Sequence, residues 1–367
     1  MARNTIPYAI AVAGIVFVGC GLMSAAPAPP PSRRREVVVS GRRVKTVDVH
    51  AHCVVPEAMA LAGRNPESQD AGDAAARLLL SNLADRLATM NAQGIDIEAL
   101  SINPYWYGFQ RDLAAEVIRT QNEKLADFCG QHSDRFVAFA TVALQHPELA
   151  AEQLEVGVKK YGLRGVSLGA SVEGQELADP RFDPFWKKAE ELDALVFIHP
   201  QGRAELANRL KGKGGLNSVI GNPLDTTIAL SHLIFEGTLD RFPGLKICAA
   251  HGGGYLPSYA GRSDAQVRAF RGGRESLLKR PSEYLRQLYY DSIVFTSEGL
   301  RHLAAETGPG QIMLGTDTPY PWTDMAVDHI LDAPGFTDEE RIAMLSGTAC
   351  RLLGINQAGI RASREGE

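Results

Sequence analysis

From Val44 onward, short β-rich apolar runs alternate with longer helical patterns. The predicted strands are Thr46–Ala51, Ile95–Ile102, Phe136–Val142, Leu163–Leu168, Leu195–His199, Leu245–His251, Tyr289–Val294 and Gln311–Asp317. Between them lie helical segments such as "DLAAEVIRTQNEKLADFCGQH" and "DTTIALSHLIFEG", several of which open on Asp or Pro, residues that suit a first turn. Strand-then-helix units in this number predict a (β/α)8 TIM barrel, a fold of about 250 residues that leaves room here for insertions. A doubly wound sheet is the competitor, but no Gly-rich phosphate loop follows the first strand.

In such a barrel, chemistry collects at the C-terminal ends of the strands. The first strand, in "TVDVHAHC", ends on His50 and His52. A strand sends alternate side chains to one face, and their α-carbons would sit roughly 6.6 Å apart, close enough for two imidazoles to share an ion. An isolated H-x-H is equally a half-buried strand whose polar face carries histidines. The other strand ends decide between the two. The fifth finishes "LVFIHP" at His199, the sixth "ICAAHGGG" at His251 and the eighth "IMLGTD" at Asp317. A satisfied core histidine is the commoner fate of any one of these, but four strand ends carrying metal-capable or proton-transferring groups form a specific set. His132, His146, His232, His302 and His329 fall in helices or other loops and are assigned surface or packing roles.

Around this set lie residues with two readings each. Tyr105, Trp106 and Tyr107 follow the second strand, where they would stack on a planar substrate or cap the core beneath a loop. Asp48 would buttress His50 through a hydrogen bond or serve structure alone. Gly252, Gly253 and Gly254 would allow a sharp turn behind His251, or form a flexible loop.

The first residues form a separate object. Arg3 precedes an apolar run from Ile6 to Met23, followed by the Pro-rich "SAAPAPPPS". Residues 1–26 read as a signal peptide or membrane anchor, 27–43 as a proline- and arginine-rich linker, and 44–367 as the barrel. "FVGCG" also resembles a lipoprotein box with Cys20 as the acylated residue. A bacterial cell envelope is the expected location, periplasmic or membrane-anchored. The arginines after the run argue for the alternative, a cytoplasmic enzyme on an anchor. A net charge of −5 makes no electrostatic case for nucleic acid, and Arg33, Arg34, Arg35, Arg42, Arg43 and Lys45 read as a basic linker rather than a folded face. The five scattered cysteines include no C-x-x-C pair and suggest no disulfide framework.

The segments "DVHAH", "FIHPQG", "AAHGGGYLPSYAGRSD" and "LGTDTPYPW", in this order, resemble the amidohydrolase-related metal-dependent decarboxylases, from about Val44 to Ile355. The aminocarboxymuconate-semialdehyde decarboxylases are similar in this pattern. The resemblance implies a distorted barrel of the metal-dependent hydrolase type holding one divalent ion, Zn2+ with Mn2+ as alternative. It implies His50, His52, His199 and Asp317 as metal ligands and His251 as the acid–base residue. Arg262, in "YAGRSD", would meet a substrate carboxylate, in the family often from a neighbouring subunit, which implies a homodimer; an ordinary surface arginine is the other reading. Two-metal relatives carry a bridging lysine at the end of strand four, whereas "LRGVSLGAS" offers none, so a single ion is expected. Three imidazoles and a carboxylate suit either metal.

Two departures from the pattern bear on substrate. Thr318 follows Asp317 where a tyrosine is frequent, which would alter the pocket wall, and no second substrate-binding arginine is evident after His52. The expected activity is non-oxidative decarboxylation of a carboxylated aromatic or unsaturated acid, a small-molecule carboxylic acid substrate, with His251 as acid/base and Asp317 as an auxiliary proton carrier. A lactonase or amidohydrolase using the same ion to activate water is the alternative.

Overall fold

A computed structural model describes residues 34–64, 83–202, 204–270, 277–320 and 325–356. Eight parallel strands form the barrel. They are β1 (Val47–His52), β2 (Ile97–Ser101), β3 (Phe136–Ala138), β4 (Val166–Gly169), β5 (Leu195–His199), β6 (Lys246–Ala249), β7 (Tyr289–Asp291) and β8 (Ile312–Met313). β1 to β3 make one sheet and β4 to β8 another. Two seams join them, each with little regular ladder. Ala140 bridges Val166 at one, and Ala51 bridges Thr318 at the other, with Val49 N–H donating to Leu314 at 2.9 Å. The barrel is therefore closed but uneven, as the resemblance implied.

Helices cover the outside: α1 (Leu83–Gln93), α2 (Arg111–Gln131), α3 (Pro147–Lys159), α4 (Asp183–Glu191), α5 (Asn222–Phe235), α6 (Leu256–Ala269), α7 (Ser297–Thr307) and α8 (Thr348–Leu353). Four of them, α3 to α6, carry proline in the first turn, where its missing N–H costs nothing. On α2 the buried residues Ala114, Val117, Ile118, Gln121, Leu125 and Phe128 recur at helical spacing and form the stripe that faces the strands. One hydrophobic cluster joins the strands to this helix layer. A smaller one packs Val49, Phe139, Phe197, Cys248 and Met313 together with Leu353 of α8. Phe139 and Phe197 stack at 5.6 Å within it, each wholly buried. Burying such a ring stabilises the fold by about 1.5–3 kcal/mol.

All six residues of β1 are buried. The reading of a half-buried strand with a solvent-facing histidine row is thereby excluded, because barrel strands are covered on both sides. The linker expected at 27–43 is corrected for its described part. Val37–Val39 and Arg42–Val44 pair as an antiparallel hairpin, with Val37, Val39 and Val44 buried in the large cluster. The physical reason is the period-2 geometry of the pair, which seats Val37, Val39 and Val44, leaves Val38 and Arg42 exposed and turns Arg43 onto the buried Asp96. Among the described residues no helix is long and apolar enough to cross a membrane, and the run from Ile6 to Met23 lies outside them.

Candidate metal centre

The C-terminal ends of β1, β5, β6 and β8 bring their polar side chains to one point. The register of β1 against β2 slips between Asp48 and Ala51, and the rings of His50 and His52 meet with their Nε2 atoms 3.1 Å apart. Both face Asp317, whose Oδ1 lies 3.2 Å from His50 Nε2 and 2.9 Å from His52 Nε2. The His199 ring centroid is 5.0 Å from that of His50 and 4.7 Å from that of His52. His251 closes the ring of groups, its Nε2 3.6 Å from Asp317 Oδ2. Beneath them Phe197 sets its edge against His50 at 4.9 Å, an apolar floor that excludes water.

Backbone geometry aims these groups. His251 and Asp317 both adopt left-handed φ, 56° and 59°, which side-chain-bearing residues rarely take. Such strain is stored where surrounding bonds enforce it. Asp317 N–H donates to the His50 carbonyl at 2.9 Å, and His52 N–H to Thr318 at 2.7 Å, so the β8 end is stitched to β1. His251 N–H and Gly252 N–H both donate to the Asp291 carboxylate at 2.8 Å. Gly252, Gly253 and Gly254 all have positive φ, and a Cβ on Gly254 would stand 2.1 Å from the Pro223 carbonyl. This turn is a fitted support, and the flexible-loop reading of it falls away.

Asp291, at the end of β7, is the residue that sequence reasoning missed. Its Oδ2 sits 2.7 Å from His50 Nδ1. A carboxylate on the far nitrogen fixes the ring's tautomer and raises its basicity as a ligand. The signal was the acid in "YYDS" at a strand end, the criterion already applied to Asp317. Asp48, expected to buttress His50, does so through the main chain. It accepts the His50 N–H at 2.9 Å and the Thr316 hydroxyl at 2.6 Å, and its carboxyl does not hold the ring.

The electrostatics are those of a cation site. Burial disfavours a charged imidazole at His50, yet Asp317 and Asp291 outweigh it and lift its pKa to about 10. Burial likewise opposes the charged carboxylate of Asp317, and His50 with the other imidazoles holds it well below the ordinary range. His52 stays low because of burial, despite the carboxylate 2.9 Å away, and His50's charge adds to that. His199 is held well below its ordinary value by burial and by the neighbouring imidazoles. The buried Nδ1 atoms of His199 and His251 have no hydrogen-bond partner among the described residues.

Donor atoms of His50, His199, His251 and Asp317 all lie within 4.8 Å of one another. Donor atoms gathered this closely can draw inward onto one divalent ion, with metal–nitrogen bonds of about 2.0–2.1 Å. The donor set fits such an ion. This group differs from the implied ligand set in holding His251 instead of His52, which nonetheless touches both His50 and Asp317.

The remaining expectations divide. His251 and Asp317 open onto a cavity of about 530 Å3 walled by Tyr255, Ile293, Val294 and Phe295. Trp106 is corrected: it is wholly buried, and its indole N–H donates to the Val142 carbonyl at 2.8 Å, so it caps the core and offers no face for stacking. The Thr318 hydroxyl meets that of Thr316 at 2.5 Å, and Thr318 is not among the residues that line the cavity. Arg262 stands exposed on α6, outside the cavity lining. His302, assigned a surface or packing role, lines the cavity mouth and bonds Ser258 at 3.1 Å.

Comparison with known proteins agrees with this geometry. Residues 47–355 match the amidohydrolase family model. The chain is 28% identical over 284 residues to 2-amino-3-carboxymuconate-6-semialdehyde decarboxylase of Dictyostelium discoideum, covering 74% of this chain and 76% of that protein. It is similar in structure to 5-carboxyvanillate decarboxylase of Sphingomonas paucimobilis, with a TM-score of 0.76 and 25% identity over 85% of this chain and all of that one. Dihydroxybenzoic acid decarboxylase of Polaromonas, solved with bound manganese and the inhibitor 2-nitroresorcinol, matches at a TM-score of 0.74 and 25% identity, covering 86% of this chain and 98% of that one. On the family match, the closed barrel and the convergent donor set, the chain belongs to the amidohydrolase family.

Proposed function

We propose that the protein is a metal-dependent non-oxidative decarboxylase of a carboxylated aromatic or unsaturated acid. The observation that carries the reading is the meeting of three buried imidazoles, His251 and Asp317 beside an apolar cavity. Its similarity to three decarboxylases of such acids supports the same reaction. A divalent ion bound by His50, His52, His199 and Asp317 would supply Lewis-acid charge that orients a carboxylate and absorbs developing negative charge. His251 sits at the cavity wall, where its imidazole can deliver the proton that replaces carbon dioxide on the departing carbon. Asp317 Oδ2, 3.6 Å away, orients that ring. Ile293, Val294 and Phe295 provide apolar walls for a planar ring and exclude water from the carbanion-like carbon.

Zinc and manganese both suit the donors, and the manganese in the Polaromonas relative supports the latter. Arg262 is proposed to reach the substrate carboxylate of a second copy in a homodimer. The apolar run from Ile6 to Met23 supports attachment to a cell envelope. Sedimentation equilibrium and cell fractionation test these two points.

The experiment for the activity is direct. Metal-loaded protein is offered hydroxybenzoates, carboxyvanillate-like acids and muconate-like acids, and carbon dioxide is measured. Carbon dioxide release with loss of the substrate carboxyl is expected. Hydrolysis of lactones or amides with no carbon dioxide from any acid would overturn the reading in favour of a hydrolase.

A further inference from the structure

The opposite end of the barrel carries a second cavity, of about 540 Å3, at the N-terminal ends of β1 to β4. Its walls set Arg34, Arg43, Lys45 and Arg164 against two carboxylates, Asp96 and Asp134. Arg34 and Arg43 both close on Asp96, at 2.5 and 2.6 Å, so one buried carboxylate answers two guanidinium groups. The same carboxylate already accepts the Thr46 N–H at 2.8 Å. Arg135 crowds this corner with its guanidinium on the Ile95 and Asp96 carbonyls, and burial together with Arg34 lowers its pKa. Lys45 Nζ donates to the Asn356 carbonyl at 3.0 Å, a neutral partner. Arg34 Nε is buried with no hydrogen-bond partner among the described residues, and Arg164 stands exposed at the rim.

Like charges held together on a concave, low-dielectric wall raise the local potential and concentrate an anion there. Arg34 and Arg43 spend their forks on Asp96, which leaves the exposed Arg164 guanidinium to meet phosphate oxygens in a bidentate pair, and Lys45 adds a point charge beside it. We infer that this cavity binds a phosphate-bearing anion, at the far end of the barrel from the metal centre. Two sources present that chemistry: a free phosphate or the headgroup of an anionic phospholipid. The lipid source is favoured by the chain's own order, since the apolar run ends at Met23 and only a Pro-rich stretch separates it from Arg34 at the cavity. That source rests on the envelope attachment proposed above, whereas the free-phosphate source does not. In the lipid case the floor of the barrel faces the bilayer and the substrate cavity opens away from it.

The test uses the full chain and the Lys45→Ala/Arg164→Ala double variant, which leaves the Arg34 and Arg43 bonds to Asp96 in place. In the first arm, Tm is measured in inorganic phosphate against chloride at equal ionic strength. In the second, co-sedimentation is compared on vesicles of phosphatidylcholine and of phosphatidylcholine with phosphatidylglycerol; insertion of the apolar run is common to both, so only the difference counts. Each Lys or Arg near an anionic surface changes partitioning by about fivefold, so the double variant should lose roughly tenfold or more of the phosphatidylglycerol preference. A phosphate-specific rise in Tm that the variant loses, without a vesicle preference, assigns a free phosphate. A vesicle preference that the variant loses assigns the lipid headgroup. If phosphate and vesicles act alike on both proteins, or on neither, the site does not exist. Decarboxylation by the variant should match the parent chain, which separates failure of this site from failure of the catalytic reading.

Discussion

At the scale of single residues, the centre depends on a hierarchy of contacts. The strand-end histidines and Asp317 were legible because each stands alone as a polar group at the end of an apolar run. Asp291 carries the same strand-end signal, but its role was not legible, since its partner His50 lies 241 positions away and nothing local marks the pairing. Trp106 misled for the converse reason: sequence placed it near the rim but not its side chain, which turns into the core to bond Val142. The Asp291 contact has a measurable consequence. Asp291→Asn keeps the shape but removes the charge from His50 Nδ1, so metal affinity should fall about 10–100-fold. Competition with a coloured chelator reads it, and an unchanged affinity would make Asp291 purely a brace for the glycine turn.

At the scale of elements, all eight strands were readable from their apolar runs, but their ends were not. The runs predicted to Val294 and Asp317 leave the ladder at Asp291 and Met313, because the chain bends there to aim side chains inward. Such bends depend on tertiary bonds and left no periodic signal. The turn after β6 is the sharpest example. Gly254→Ala would drive a Cβ into the Pro223 carbonyl at φ 65°, and should destabilise the protein by roughly 1–3 kcal/mol or more while displacing His251. Thermal unfolding and turnover of the variant check both effects. The N-terminal hairpin is tied to the body by Arg35, which bonds Asp328 through both its Nη atoms. That hydrogen bond to Arg35 holds the Asp328 carboxyl below its usual 3.8. A depressed carboxyl contributes stability above the unfolded value and loses it as pH falls through the folded one. Asp328→Asn should therefore lower Tm at pH 7 and converge on the parent chain below about pH 3.8; an equal deficit at acid pH would assign the effect to packing.

At the scale of the whole molecule, one barrel presents two charged ends. The strand C-termini gather imidazoles and carboxylates beside an apolar cavity, and the strand N-termini gather arginines. The sequence showed both sets, but it put the arginines in a linker, because a three-residue strand pair carries too little pattern to be recognised. The two sheets meet at sparse seams, and one of these, between β1 and β8, lies directly beneath the donor set. An ion held by His50, His52 and Asp317 would clamp that seam, so stripping metal with a chelator should lower stability by about 2.7 kcal/mol if the ion is normally at a hundredfold its Kd. Calorimetry before and after reloading reads this, and an unchanged Tm would detach the seam from the metal. Under the proposed function, imidazoles from distant strands hold a single ion while His251 serves the chemistry. Elemental analysis of the purified chain, His199→Ala and His251→Ala tests it most directly. About one divalent ion per chain is expected in the parent and in His251→Ala, with little in His199→Ala. Two ions per chain, or equal metal in all three proteins, would contradict it.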